Sequence, residues 1–303
     1  MYKRSLSFSL LVIAAITMII ANVSHPKNIG RAYAHILSSN ENAALLAIFY
    51  QIQTEAELAQ MTYTSNIALA QEHAENALEL LRRDWTNSTA DRTIVVNNIA
   101  PVLDTLNYSV KQGSLYSDIE KIVNDLHSII EEFIYVYVGK DVLNNPTIQA
   151  LTLADITNVV DSNYASAFGT NSSKKMPPTV GMSNMMANMM MTNMSNINTN
   201  NSEKQSFTQE KNNTHNHISV NTLTNISDYQ TAQALAIQAQ AIFNNQLAIK
   251  KFSNMTATKM ILQLGEDIDM LKTSINDKAP YKDIMTIIHG RIHPLLIRAY
   301  NLR

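Results

Sequence analysis

Apolar positions recur at three- and four-residue steps through most of this chain, the period of an α-helix packed on one face. From Phe49 the set runs Ile52, Ala56, Ala59, Tyr63, Ile67, Ala70, Ala74, Ala77, Leu81 and Trp85, with no Gly or Pro between them. That spacing predicts one helix of about 45 residues, about 67 Å long at 1.5 Å per residue. Ser38 and Glu41 form the capping box that would open it.

A second helix is expected from Ser88–Asp91 to about Gly113, and a third capped by Ser117 and Glu120. The third carries the stripe Ile119, Ile122, Leu126, Ile130, Phe133 and Tyr137, and Gly139 should stop it. Asn145-Pro146 opens a shorter amphipathic helix with Ile156, Val159, Val160 and Tyr164 on its face. After a polar stretch, Ser227 and Gln230 suggest a new capping box. Three further helices are expected at roughly 227–252, 256–276 and 281–301.

The two halves resemble one another. Thr93–Tyr137 aligns without gaps onto Thr258–Leu302 at a constant offset of 165. Matches include Asp104/Asp269, Ser109/Ser274, Tyr116/Tyr281, Asp118/Asp283 and Tyr135/Tyr300, and the preceding helix follows one residue out of step, as in Leu69/Leu235. The expected fold is therefore all-α. It is an antiparallel bundle of long helices built by internal duplication of a helical unit, with halves at 38–168 and 227–303. Residues 169–226, rich in Met, Asn, Ser and Thr, read as a disordered low-complexity linker.

The ends and the composition set the compartment. Lys3 and Arg4 precede an apolar run from Leu6 to Val23, about 18 residues, just enough for a bilayer core of about 30 Å. Residues 1–34 thus read as a signal peptide or an uncleaved signal anchor, with the body outside the cytoplasm. Ala32-Tyr33-Ala34 fits a cleavage pattern but lies far beyond the apolar run. The chain has no cysteine, which excludes disulfides, thiolate nucleophiles and Cys-ligated zinc. Net charge is −2, so no basic surplus points to nucleic acid. Glycosylation sequons occur at Asn87, Asn107, Asn171, Asn193, Asn200, Asn212, Asn225 and Asn254.

Candidate chemistry is concentrated in the linker. Met182, Met185, Met186, Met189, Met190, Met191 and Met194 lie within thirteen residues, with His215 and His217 downstream. Thioether sulfur is a soft neutral ligand suited to Cu(I), and imidazole suits copper and other late metals. Met182/Met185, Met186/Met189 and Met191/Met194 are spaced M-x-x-M, and this segment resembles the methionine motifs of copper transporters and periplasmic copper carriers. The resemblance implies a copper or other soft-metal site there and says nothing of the helical body. The same composition also fits a plain connector or a surface that absorbs oxidants.

His289 and His293 stand at i and i+4 on the last helix and could share a metal, although Gly290 and Arg291 replace the Glu of a zincin motif. Pro294 should kink that helix at Gly290. Asn124 and Ser128 occupy the matching positions of the first copy. His127 with Glu131 reads as a solvated helix pair, and His73 as a boundary residue among Glu72, Glu75 and Glu79. Walker A, GxGxxG, GxSxG and zincin motifs are missing, and glycine is scarce, so an enzyme is not expected. The expected function is an exported, non-enzymatic binding protein for copper or another soft metal. The alternative is a structural or interaction protein of the cell envelope that self-associates or holds a partner, membrane-bound through its first segment if that is uncleaved.

Overall fold

The computed structural model describes residues 40–85, 90–170, 222–249 and 255–302, with the side chains at 84–85 and 90–96 left aside. These residues are all-α, with no β-strand among them. The helices are α1 Glu41–Thr62, α2 Ile67–Trp85, α3 Ala90–Gln112, α4 Tyr116–Phe133, the short α5 Lys140–Leu143, α6 Pro146–Ala167, α7 Ile226–Ile242, α8 Met255–Asn276, α9 Tyr281–Ile287 and α10 His293–Tyr300. Three π-turns extend or join them: Ile134–Val138 after α4, Phe243–Leu247 after α7, and Ile288–Ile292 between α9 and α10.

The helices close into two rings. In the first, α1 packs on α2, α2 on α3, α3 on α4, and α4 returns to α1. In the second, α6 packs on α7, α7 on α8, α8 on α9 and α10, and these return to α6. α1 joins the rings by touching α6 and α7. Neighbours within a ring run in opposite directions. Down α1 the partners Gln60, Glu57 and Phe49 meet Tyr116, His127 and Phe133 in turn, and Arg82 and Glu75 of α2 meet Asp104 and Lys111 of α3. Thr152 Oγ1 of α6 lies 3.4 Å from the Ala43 carbonyl oxygen of α1.

The expected 45-residue helix is two. The chain leaves helix at Tyr63–Asn66 and turns back, because Thr-Tyr-Thr-Ser-Asn offers side chains that compete for the backbone. Ser65 Oγ bonds the Thr62 carbonyl, and Asn66 Oδ1 accepts from Leu69 N at 3.1 Å to cap α2. Apolar periodicity runs through the break because both helices of the hairpin face the same core.

Caps also fall elsewhere than expected. Asn40, not Ser38, caps α1, accepting from Asn42 and Ala43 N at 3.1 Å each. Leu115 precedes α4 with no side-chain cap, and Asn225, not Ser227, caps α7. Ser227 is fully buried. Asn145 caps α6, with Pro146 at its first position, as the sequence indicates. Gly139 ends the α4 extension at φ 84°, a backbone region that L side chains rarely adopt.

Helix α6 is neither short nor amphipathic. It runs 22 residues and buries Ile148, Leu153, Ile156 and Val160 on one side with Gln149, Thr152 and Thr157 on others. Such all-round burial marks an interior helix, and α1 shows it too, burying Gln51, Thr54, Glu55 and Thr62 among its apolar residues. The buried threonines satisfy themselves on their own helices: Thr62 donates to the Leu58 carbonyl at 2.6 Å and Thr152 to that of Ile148 at 2.9 Å. In the outer helices the core is made of Leu103, Leu106, Ile119 and Leu126 in one ring and Leu264, Ile268, Leu271 and Ile284 in the other, all fully buried. Each is worth about 1.5–3 kcal/mol, so these residues outweigh the exposed ion pairs at about 0–1 kcal/mol each.

At Pro294 the chain passes from a π-turn into the last helix. The missing N–H of Pro294 and its ring are accommodated by the π-turn Ile288–Ile292, which includes Gly290 and hands directly to His293-Pro294. Among the described residues no helix is long and apolar enough to cross a membrane, and Leu6–Val23 lies outside them.

Candidate functional site

Two polar seams run through the interior. The first lies between the rings, where α1, α2 and α7 meet. His73 is fully buried, and its Nδ1 lies 2.7 Å from Glu55 Oε2 while its Nε2 lies 3.0 Å from Gln230 Oε1. Thr231 donates to the other Glu55 oxygen at 2.7 Å. Nδ1–H donates to the Glu55 carboxylate, and a proton on Nε2 as well would set an imidazolium between the carboxylate and the Gln230 amide oxygen. Burial alone would lower the His73 pKa, but the hydrogen bond and charge of Glu55, with Gln230 and the charge of Glu72 behind them, raise it above the usual histidine value.

One helical turn away, Asp228 accepts from Ser166 of α6 and from Asn225 Nδ2 at 2.7 Å. Burial pushes its carboxyl upward and the Glu55 charge adds to this, against the Ser166 bond and the His73 charge. Asn76 of α2 donates to Ser227 at 3.4 Å. This seam is a lock between rings. His73 has both nitrogens occupied and no exposed surface, so it offers neither a lone pair to a metal nor an approach to a substrate.

The second seam lies within the second ring, between α6 and the α9–α10 segment. His289 Nε2 lies 3.4 Å from Asp161 Oδ2, which also receives the Tyr281 hydroxyl at 3.3 Å. His293 is buried, its Nε2 3.0 Å from Thr157 Oγ1. Burial first, and the neighbouring His289 second, push the His293 pKa down to about 3 despite a hydrogen bond to the Ala154 backbone. The two rings are neighbours, with centroids 5.0 Å apart and planes 80° apart. Asp161 Oδ1 is buried without a hydrogen-bond partner. Among the described residues, no three His, Asp or Glu side chains are placed to hold a metal ion. A neutral His293 turned toward Thr157 fits a structural bond better than a ligand.

The histidines therefore do not converge. His73 joins Glu55 between the rings, His127 lies 3.2 Å from Glu57 rather than pairing with Glu131, and His289 and His293 face α6. Met182, Met185, Met186, Met189, Met190, Met191, Met194, His215 and His217 lie outside the described residues. His73 is buried rather than a boundary residue, because it shares the inward face of Ala70, Ala74 and Ala77 and meets Glu55 from another helix. A charged residue on an alanine stripe is the sequence signal that could have found it.

The feature that bears on the linker is where its ends lie. Thr224 N donates to the Ala167 carbonyl at 2.7 Å and Asn225 N to the same oxygen at 3.1 Å. The chain that departs after α6 and the chain that returns before α7 are thus joined at one point. Of the carboxylates that align between the two halves, Asp104 pairs with Arg82 on α2 at 3.0 Å, and Asp269 accepts from Gln240 on α7. Each pins its helix to the one before it in its ring. Against protein-family models, curated proteins and solved structures alike, the chain has no match.

Proposed function

We propose that this is an exported, membrane-tethered, non-enzymatic helical protein that presents its Met-rich segment as a ligand for Cu(I) or a similar soft ion. The observation that carries the reading is the closed neck at Ala167 and Thr224. The first ring makes the corresponding turn, α1 to α2, with Tyr63–Asn66 alone. A neck whose ends already touch needs no span, so the length between them is not required by the fold. What that length carries is thioether at M-x-x-M spacing, the chemistry that soft metals select. Duplication of one four-helix unit accounts for the two rings, with the segment inserted in the second copy.

The test is a competition titration of Cu(I), held by a chromogenic chelator, against the full chain and against a variant with all seven Met182–Met194 methionines changed to Leu. The expected result is tight uptake by the first and a large loss in the second. Equal uptake by the two sinks the metal reading. His289→Ala with His293→Ala should leave uptake unchanged, which separates the helical body from the segment.

The second reading, an interaction protein, rests on the exposed apolar Met61, Leu115 and Tyr116, gathered where Gln60 meets Tyr116 and Tyr63 meets the Ser114 carbonyl. Sedimentation without metal separates it: concentration-dependent assembly that Leu115→Ser abolishes would favour this reading.

A further inference from the structure

We propose that the outer groove between α3 and α4 receives a basic amphipathic helix of a partner protein, independently of the Met-rich segment.

The groove has a volume of about 450 Å³ and is lined by Pro101, Val102 and Thr105 of α3 and by Ile122, Asp125 and Ile129 of α4. Its apolar floor is the flank of the first ring's core. Val102, Ile122 and Ile129 pack against that core and stay partly exposed. On α4, alternate steps of four and three residues set Asp118, Ile122, Asp125, Ile129 and Glu132 along one side of the helix. Carboxylate and isoleucine alternate there over about 21 Å. Asp118, Asp125 and Glu132 are exposed, and among the described residues none of them has an ion-pair partner. Lys121 is the only Lys or Arg of α4, and the residues that α3 gives the groove carry no charge. The groove is therefore acidic over an apolar floor.

The second ring shows what fits such a place. Asp267 and Met270 of α8 stand at the positions aligned with Val102 and Thr105. Arg291, from the π-turn before α10, reaches both. Its guanidinium lies 2.6 Å from Asp267 Oδ1 and donates to the Met270 sulfur at 3.0 Å. A cation of the chain itself thus bridges the two helices. In the first ring the residue aligned with Arg291 is Leu126, fully buried in the core. No cation crosses from α4 to α3 there, and the groove stays open.

Charge and spacing select the occupant. Isoleucines seven residues apart match apolar side chains at i and i+7 of an incoming helix. Carboxylates at the same interval favour Lys or Arg beside each of those positions and steer the encounter. The same carboxylates repel nucleic acid and anionic lipid. They also oppose a second copy docked groove to groove, since like charges would then face each other. An exposed ion pair adds little alone, so binding draws on the apolar floor and several charges together.

The test uses the full chain and two fluorescein-labelled synthetic helices that share Leu at i, i+4 and i+7. One carries Lys beside those positions and the other Glu. Fluorescence anisotropy should show the Lys peptide bound, more weakly as salt rises, and the Glu peptide free. Asp125→Lys with Glu132→Lys should weaken the Lys peptide at least about tenfold. Thr105→Trp, which fills the groove without changing its charge, should weaken it too. Glu120→Lys with Glu131→Lys, exposed acids on the side of α4 that bears His127, should change binding by less than about threefold. Circular dichroism checks that every variant stays helical. Equal losses in the groove and control variants, equal binding of the two peptides, or no binding of either overturns the proposal. So does self-association of the unliganded chain that Asp125→Lys abolishes in sedimentation, which would make a second copy the occupant.

Discussion

The two rings use the same plan with different interiors. In the first, the buried core between α3 and α4 is apolar, and Asn124 and Ser128 face solvent. At the matching positions of the second stand His289 and His293, turned onto α6. In the first ring the inner helix α1 meets α2 through a short turn. In the second, α6 meets α7 across the bonded neck at Ala167 and Thr224. A helical frame fixed by apolar spacing thus accommodates different polar partners at matching positions and connections of different length between neighbouring helices.

The largest effect should come from the seam that holds the rings together. Glu55→Ala leaves His73 and Thr231 buried without their acceptor, and stability to denaturant should fall by about 3–5 kcal/mol. Replacing Glu55 and His73 together by Leu should cost much less, since no charge is then stranded. Similar losses in the single and double variants would show that the pair is not a unit.

Acid and base should act on the two histidines in opposite senses. His73 has a raised pKa, so its contribution is complete below the unfolded value of about 6.5 and is lost as pH rises through the folded value. His293 is held neutral with a pKa near 3. Below about 6.5 the unfolded chain takes up its proton first, and stability falls by about 1.4 kcal/mol per pH unit down to that value. Thermal melts of His73→Gln and His293→Gln across pH should therefore flatten opposite limbs of the stability curve.

Shortening the α6–α7 connection tests whether the fold needs it. Replacing residues 171–221 by a few Gly and Ser should raise stability by about 2 kcal/mol, from three halvings of loop length at about 0.6 kcal/mol each. A loss in denaturant midpoint instead would mean the segment packs on the body.

At the small end stands Arg82–Asp104, both partners well exposed. Arg82→Ala should shift the thermal midpoint hardly at all, under about 1 kcal/mol. In the other ring Asp269, which aligns with Asp104, is met instead by the uncharged Gln240, which aligns with Ala74 and not with Arg82.

The sequence reports what repeats along a helix and misses what happens between helices. Helix α3, the body of α4 and α8 were legible because their one-sided stripes need only one neighbour. Helix α6 reads as short and amphipathic because a helix surrounded by neighbours loses its polar face, and α1 reads as continuous with α2 because one apolar period runs through both. The break at Tyr63–Asn66 left no Gly or Pro to mark it. Of the polar seams, the approach of His289 to His293 was visible as an i, i+4 pair. Glu55 with His73 and Thr231 was not, since these come from three helices and no local spacing joins them.

The bond from Thr224 to Ala167 has a consequence for how the molecule could be divided. A protease that cuts between 171 and 221 would sever no helix among the described residues. The first fragment would keep α6, which belongs to the second ring, and the other fragment would bring α7 to α10 to meet it. Neither piece has both rings complete without the other. Expressed separately, the two should find each other and rebuild the whole, making the neck a natural site for splitting this protein into a complementing pair.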